Sequence, residues 1–110
     1  MRKELRVRKN EEFSEIIASK HSFSNSSFVI YIKEKKLDHA RVGISVSKKL
    51  GDAVTRNKIK RQVRMMFLEI FDYNESKYDL ICIVRIKFLE KNFQDNKAEL
   101  EKLIKKAIID

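Results

Sequence analysis

Seven cations occupy residues 48–64: Lys48, Lys49, Arg56, Lys58, Lys60, Arg61 and Arg64, with Asp52 the one acid among them. Guanidinium and ammonium groups are donors with no acceptor capacity, so a set like this recognises anions and does not break bonds. From Thr55 onward the apolar residues recur with a helical period, placing Ile59, Val63, Met66, Phe67 and Ile70 on one face. Arg56, Asn57, Lys60, Arg61 and Arg64 fall on another. No carboxylate follows Arg56, Lys58, Lys60, Arg61 or Arg64 at three or four residues, so this strip repels itself in the free protein. A phosphate-bearing polymer relieves that repulsion, and the strip is read as a polyanion-binding face instead of a merely solvated one. Lys48 and Lys49 stand at its entrance.

A search for catalytic chemistry finds none to assign. His21 and His39 sit in predicted loops with no Cys or second His at ligand spacing. The serines at 22, 24, 26 and 27 lack a Gly-x-Ser-x-Gly elbow, and no phosphate-cradling Gly-x-x-x-x-Gly-Lys loop occurs. The acidic residues are scattered, not grouped as in a two-metal site, so a protein-only nuclease is disfavoured. No catalytic residue and no metal ligand is predicted. The lone Cys82 lies in an apolar run and reads as a buried structural thiol. Binding chemistry extends to two aromatics. Phe13 and Tyr31 belong to elements expected side by side, where splayed bases could stack on their rings; packing as plain core is the other reading of that pattern. Asn25 and the neighbouring serines could hydrogen-bond sugar and base edges. Duplex DNA fits less well, since Asn57 is the only amide on the strip suited to a base edge.

The elements that must position these residues follow from pattern. A chain of 110 residues, 43% hydrophobic, forms one domain with one real core. The net charge of +9 is uneven: +4 over 1–9, zero over 10–47, +6 over 48–64 and −1 over 65–110. Residues 1–9 are predicted to be a mobile basic arm. Asn10 is predicted to cap a helix over about 10–20, with Phe13, Ile16 and Ile17 as its apolar stripe. A serine-rich loop at 21–27 precedes a strand at 28–32, and a second strand at 40–47 is expected to pair with it as a hairpin. The basic helix spans about 55–71. A strand at 78–87 is apolar on both faces, and a last helix runs over about 92–108, capped by Asn92. The fold class is α+β, a two-layer sandwich of helices against one open sheet, in the order helix, strands, helix, strand, helix. No apolar run reaches membrane-spanning length and no signal peptide is visible, which places the protein in the cytoplasm with no membrane partner.

Lys48-Lys49-Leu50-Gly51 followed by Arg56-Asn57-Lys58-Ile59-Lys60-Arg61-x-x-Arg64 resembles the motif of the protein subunit of bacterial ribonuclease P. Gly43-Ile44-Ser45-Val46-Ser47, Asn10-x-x-Phe13, Phe28-Val29-x-Tyr31 and the apolar strand at 80–84 extend the likeness over about residues 5–108. The resemblance implies a fold like that of a domain in small-subunit ribosomal proteins, with a left-handed βαβ crossover hosting the motif. It implies a catalytic RNA that, with Mg²⁺ held mainly by that RNA, removes the 5′ leader of precursor tRNA. On that basis Lys48, Lys49, Arg56, Asn57, Lys60, Arg61 and Arg64 would contact the ribonuclease P RNA. Phe13, Ile17 and Tyr31 would line a cleft for the single-stranded leader, with Asn25 at its edge. No obligate protein partner is implied. Ile17 stands where many relatives carry a second aromatic, Ser26 and Ser27 where an Arg-Gln pair is common, and no proline follows Lys87. The alternative reading is a ribosomal or ribosome-assembly protein that binds RNA without any cleavage.

Overall fold

The computed structural model describes residues 2–109. Among them are three helices, α1 (Asn10–Ala18), α2 (Ala53–Ile70) and α3 (Phe93–Ile109), and four strands, β1 (Ser22–Ser24), β2 (Phe28–Glu34), β3 (Val42–Val46) and β4 (Tyr78–Val84). Short 3₁₀ turns lie at Lys3–Leu5, Lys48–Leu50 and Ile86–Glu90. The sheet order is β1-β2-β4-β3, antiparallel except for the β3–β4 pair.

That order corrects the expected hairpin. β2 and β3 do not pair; β4 lies between them, setting Ile30 opposite Cys82 on one side and Ile44 opposite Cys82 on the other. The reason is the apolar run itself. A strand hydrophobic on both faces is stable only where both faces are covered, which is the centre of the sheet. The loop expected at 21–27 also contains a strand. Ser22, Phe23 and Ser24 pair with Tyr31, Ile30 and Val29, held by backbone hydrogen bonds with little help from side-chain pattern. The turn between β1 and β2 is closed by Asn25, whose Oδ1 accepts from the backbone N–H groups of Ser27 (3.1 Å) and Phe28 (2.9 Å).

One face of the sheet carries the main core. Phe28, Ile30, Ile32, Val42, Leu80, Cys82 and Val84 meet Ile59, Val63, Met66 and Phe67 of α2 and Leu100, Leu103, Ile104 and Ala107 of α3. Cys82 is fully buried and free, and burial pushes its thiol well up, as suits a structural residue. Among the described residues, the buried apolar side chains of the opposite face are Val7, Ile16 and Ile81, with Phe13, Tyr31 and Ile83 packed around them under α1.

Helix ends differ from expectation by a few residues. Gly51 takes φ +145°, and a Cβ there would stand 2.8 Å from Thr55, so the sharp entry to α2 requires glycine. Asp52 then caps α2, its Oδ1 accepting from the Thr55 N–H at 2.8 Å, so the helix begins at Ala53. Asn92 caps α3 as predicted, accepting from the Asp95 N–H at 2.8 Å. Asn10 does not cap α1. Lys9 holds the cap position with extended backbone, and its carbonyl accepts from Glu12 and Phe13.

Residues 2–9 do not stand off as an arm. Arg6 bridges to Val42 in parallel, the Val7 N–H donates to the Val42 carbonyl at 3.1 Å, and Val7 is buried. Val7, with Leu5 half-buried against the main core, pins the segment along β3, an edge strand of the sheet. Met1 lies outside the described residues.

Candidate nucleic-acid interface

The basic strip forms on α2 because Ile59, Val63, Met66 and Phe67 hold the opposite side of that helix in the core. Arg56, Lys60 and Arg64 form a half-buried row along one flank, and Asn57 and Arg61 are exposed beside it. Lys48 and Lys49 are exposed on the 3₁₀ turn that leads in. All seven predicted residues are thus exposed or half-buried, on α2 and on the turn that leads into it. Among the described residues, no ion pair reaches any of these cations. The one nearby acid, Asp52, is spent as a cap. The Thr55 backbone N–H, first among several donors, holds its carboxyl below the ordinary range, with Arg56 a smaller cause. The Arg56 Nε is buried with no hydrogen-bond partner.

Phe13 and Tyr31 are brought together on the small core beneath α1. The Phe13 ring sits on Gly43 of β3: a Cβ at that position would stand 2.6 Å from Phe13 Cζ and 2.7 Å from Ile81 Cδ1. Both aromatic rings remain partly exposed, and Ile17, one turn beyond Phe13, is 37% exposed. Phe13 and Ile17 on α1 and Tyr31 on β2 thus leave apolar area open to solvent.

Asn25 does not join them. Its Oδ1 is used by the β1–β2 turn, and its Nδ2 donates to the Glu99 carbonyl of α3 at 3.1 Å, toward the other side of the sheet. Ser26 and Ser27 are engaged there too, with Ser27 Oγ donating to Glu99 Oε2 at 2.8 Å and Lys91 Nζ donating to Ser26 Oγ at 2.6 Å. The polar composition of 22–27 was the signal for a ligand-facing loop, but the carboxylate that uses it lies 72 residues away from Ser27 in sequence.

Two groups of residues were missed by sequence reasoning. Glu12, Arg41 and Asp79 fasten α1: Arg41 Nη2 donates to Glu12 Oε2 at 2.6 Å and to Asp79 Oδ2 at 3.3 Å, while the Arg41 N–H donates to Asp79 Oδ1 at 2.8 Å. The hydrogen bond from Arg41 holds the Glu12 carboxyl below the ordinary carboxylate range. Lys36 adds a 2.7 Å pair with Glu15. The second group is Arg6 and Arg8. They flank the pinned Val7 and line, with Phe13, Gly43 and Arg64, a hollow of about 220 Å³. Arg64 thus belongs both to the α2 strip and to the wall of the Phe13 surface, which joins the two regions into one track.

A partly exposed pair of aromatic rings that runs into a cation strip on a small α+β scaffold has the make-up of an RNA-binding protein. The ribonuclease P family model matches residues 1–108. The ribonuclease P protein component of Mesoplasma florum is 48% identical over 99 residues, 89% of this chain and 90% of that one. That of Bacillus pumilus is 40% identical over 110 residues, 99% of this chain and 92% of its own length. The solved Staphylococcus aureus RNase P protein superposes with a TM-score of 0.82 at 40% identity, covering 94% of each chain. The Thermotoga maritima RNase P protein does so at 0.79 and 30% identity, covering 92% of this chain and 96% of that one. The chain belongs to the ribonuclease P protein family. It is a subunit of an endoribonuclease of tRNA 5′ maturation and works with the ribonuclease P RNA. Among the described residues, no helix is long and apolar enough to cross a membrane.

Proposed function

We propose that Lys48, Lys49, Arg56, Asn57, Lys60, Arg61 and Arg64 contact the ribonuclease P RNA, while Phe13, Ile17 and Tyr31 hold the single-stranded 5′ leader of precursor tRNA, in the cytoplasm. The observation that supports this reading is the junction at Arg64, where a strip of unpaired cations meets a partly exposed aromatic surface. Stacking of bases on such rings is worth about 1–3 kcal/mol each. That free energy is available to the precursor and absent for the mature product, which has no leader. Asn25 is left out of the cleft because its side chain is already used. The protein holds and orients RNA, and the bond is broken by the RNA. Mg²⁺ is assigned to that RNA, since the strip offers guanidinium, ammonium and one amide, and only the Asn57 amide oxygen suits a hard cation. Held by that RNA, the ion would supply charge stabilisation for hydrolysis of the phosphodiester, and the strip's own part would be to lower phosphate repulsion around it.

The experiment is cleavage of a leader-bearing precursor tRNA at low Mg²⁺ by protein alone, by a bacterial ribonuclease P RNA alone, and by both. Efficient production of the mature 5′ end with both together is expected. Cleavage by the protein alone, surviving nuclease treatment of the preparation, would overturn the accessory role. About six phosphate contacts predict a log–log salt slope near −4 to −5 for RNA binding.

A further inference from the structure

The hollow lined by Arg6, Arg8, Phe13, Gly43 and Arg64 lies where the α2 strip meets the aromatic surface, and the function proposed above gives no role to Arg6 or Arg8. Its volume of about 220 Å³ is below that of a pocket for a whole small molecule, so it suits one chemical group. Three arginines line it, from two separate elements. Arg6 has extended backbone (φ −115°, ψ 136°) and bridges to Val42, so Arg6 and Arg8 fall on the same side of the segment while Val7 is buried. Arg64 reaches in from α2. Partial burial, and after it the charge of Arg6, drives the Arg64 guanidinium below its ordinary value, so the two cations feel each other across the gap. Among the described residues none of the three has a carboxylate partner, and no acid lines the hollow. Cations held together without an anion cost stability unless an anion is supplied.

We infer that this hollow is a phosphodiester site, in which Arg6 and Arg64, backed by Arg8, clamp one RNA phosphate beside the Phe13 ring. Guanidinia bind phosphate oxygens in bidentate fashion, and two of them from separate elements fix the position of one phosphate. The pinned N-terminal segment is then part of the binding surface and not a general attractor of RNA. The site rests on the functional reading above and adds a named contact to it. The phosphate belongs either to the leader or to the ribonuclease P RNA, and the two sources are separable.

The test uses Arg6→Gln with Arg8→Gln, both at solvent-accessible positions, in the reconstituted holoenzyme. The first arm measures affinity for precursor tRNAs whose leader carries a single uncharged methylphosphonate at each linkage in turn. The second measures affinity of the protein for the ribonuclease P RNA alone. A leader phosphate predicts about tenfold weaker precursor binding by the variant, one linkage whose neutralisation matters only with Arg6 and Arg8 present, and unchanged RNA binding. A phosphate of the catalytic RNA predicts the loss in the second arm instead, with a salt slope shallower by about 0.7–0.9 per charge removed. Unchanged affinity in both arms, with wild-type protein still supporting 5′ maturation, overturns the site and leaves the functional reading standing. Failure of the wild-type protein to support maturation overturns both.

Discussion

The two faces of the sheet are built on different principles. Beneath α2 and α3 the contact is a broad apolar core in which Phe28, Met66, Phe67, Leu80 and Leu100 are fully buried. Beneath α1 the buried apolar side chains among the described residues are Val7, Ile16 and Ile81, and the helix is held at its flanks by Arg41–Glu12 and Lys36–Glu15. Hydrophobic burial scales with area removed from water, so the first face carries most of the folding free energy. The second keeps its rings partly exposed by leaving area uncovered and letting charged pairs fix the position of α1. On the proposed function, stability and recognition fall on opposite sides of one strand set, with β4 contributing Cys82 to the first and Ile81 to the second.

The largest effect that would test this division is Phe67→Ala. It removes a fully buried ring in edge contact with Phe71 and is expected to cost about 3–5 kcal/mol in denaturant unfolding. Phe13→Ala should cost clearly less; an equal loss would erase the distinction between the faces. Next in size is Arg56→Ala with Arg61→Ala, expected to weaken binding to the ribonuclease P RNA by about 10–100-fold and to flatten the salt slope, with unfolding free energy little changed. An unchanged slope would remove the strip from the interface. Gly43→Ala is expected to cost about 1–3 kcal/mol by forcing the Phe13 ring off β3, and to weaken precursor binding as well. Combining it with Phe13→Leu, which lacks the clashing Cζ, should recover part of the stability but not the precursor affinity.

The smallest effect is one of pH. Glu12 is faced by Arg41 and Asp79 from the sheet and by Lys9 and Lys36 nearby, and its carboxyl is held below the ordinary range by Arg41 first. A depressed carboxyl contributes stability that is present at neutral pH and lost as pH falls through and below the ordinary carboxylate range. Glu99, held down first by Lys91, loosens α3 from the β1–β2 turn in the same window, but α3 keeps its apolar contacts. Amide exchange in α1 should therefore rise before exchange in α3 on acidification, and Glu12→Gln should remove most of that difference. Simultaneous opening of both helices would argue against the ionic fastening of α1.

Periodicity made the helices legible: the apolar stripes of α2 and α3, and Asn92 as a cap, are where the sequence places them. β4 was readable as a doubly buried strand, but its neighbours were not, because an apolar run says that both faces are covered and says nothing of which edges it meets. β1 carries no pattern, since Ser22 and Ser24 are exposed and its order comes from pairing with β2. Of the interface, the cation strip and the Phe13–Tyr31 pair were visible as residue types at spacing. The engagement of Asn25 with α3 and the pinning of residues 6–8 were not, because each depends on a partner distant in sequence.

The placement of β4 has a consequence for biogenesis. β2 and β3 share no hydrogen bonds, and both wait for a strand that is synthesised after α2. Phe28 meets Val84, and Val46 meets Val84, only when residue 84 has emerged from the ribosome. Until then the strand pairings open to the growing chain are the β1–β2 hairpin and the short Arg6–Val42 bridge, while the whole cation-bearing segment has already been made. Folding governed by such distant pairings is slow compared with local helix formation. The nascent chain thus displays its polyanion-seeking segment before it possesses a tertiary structure.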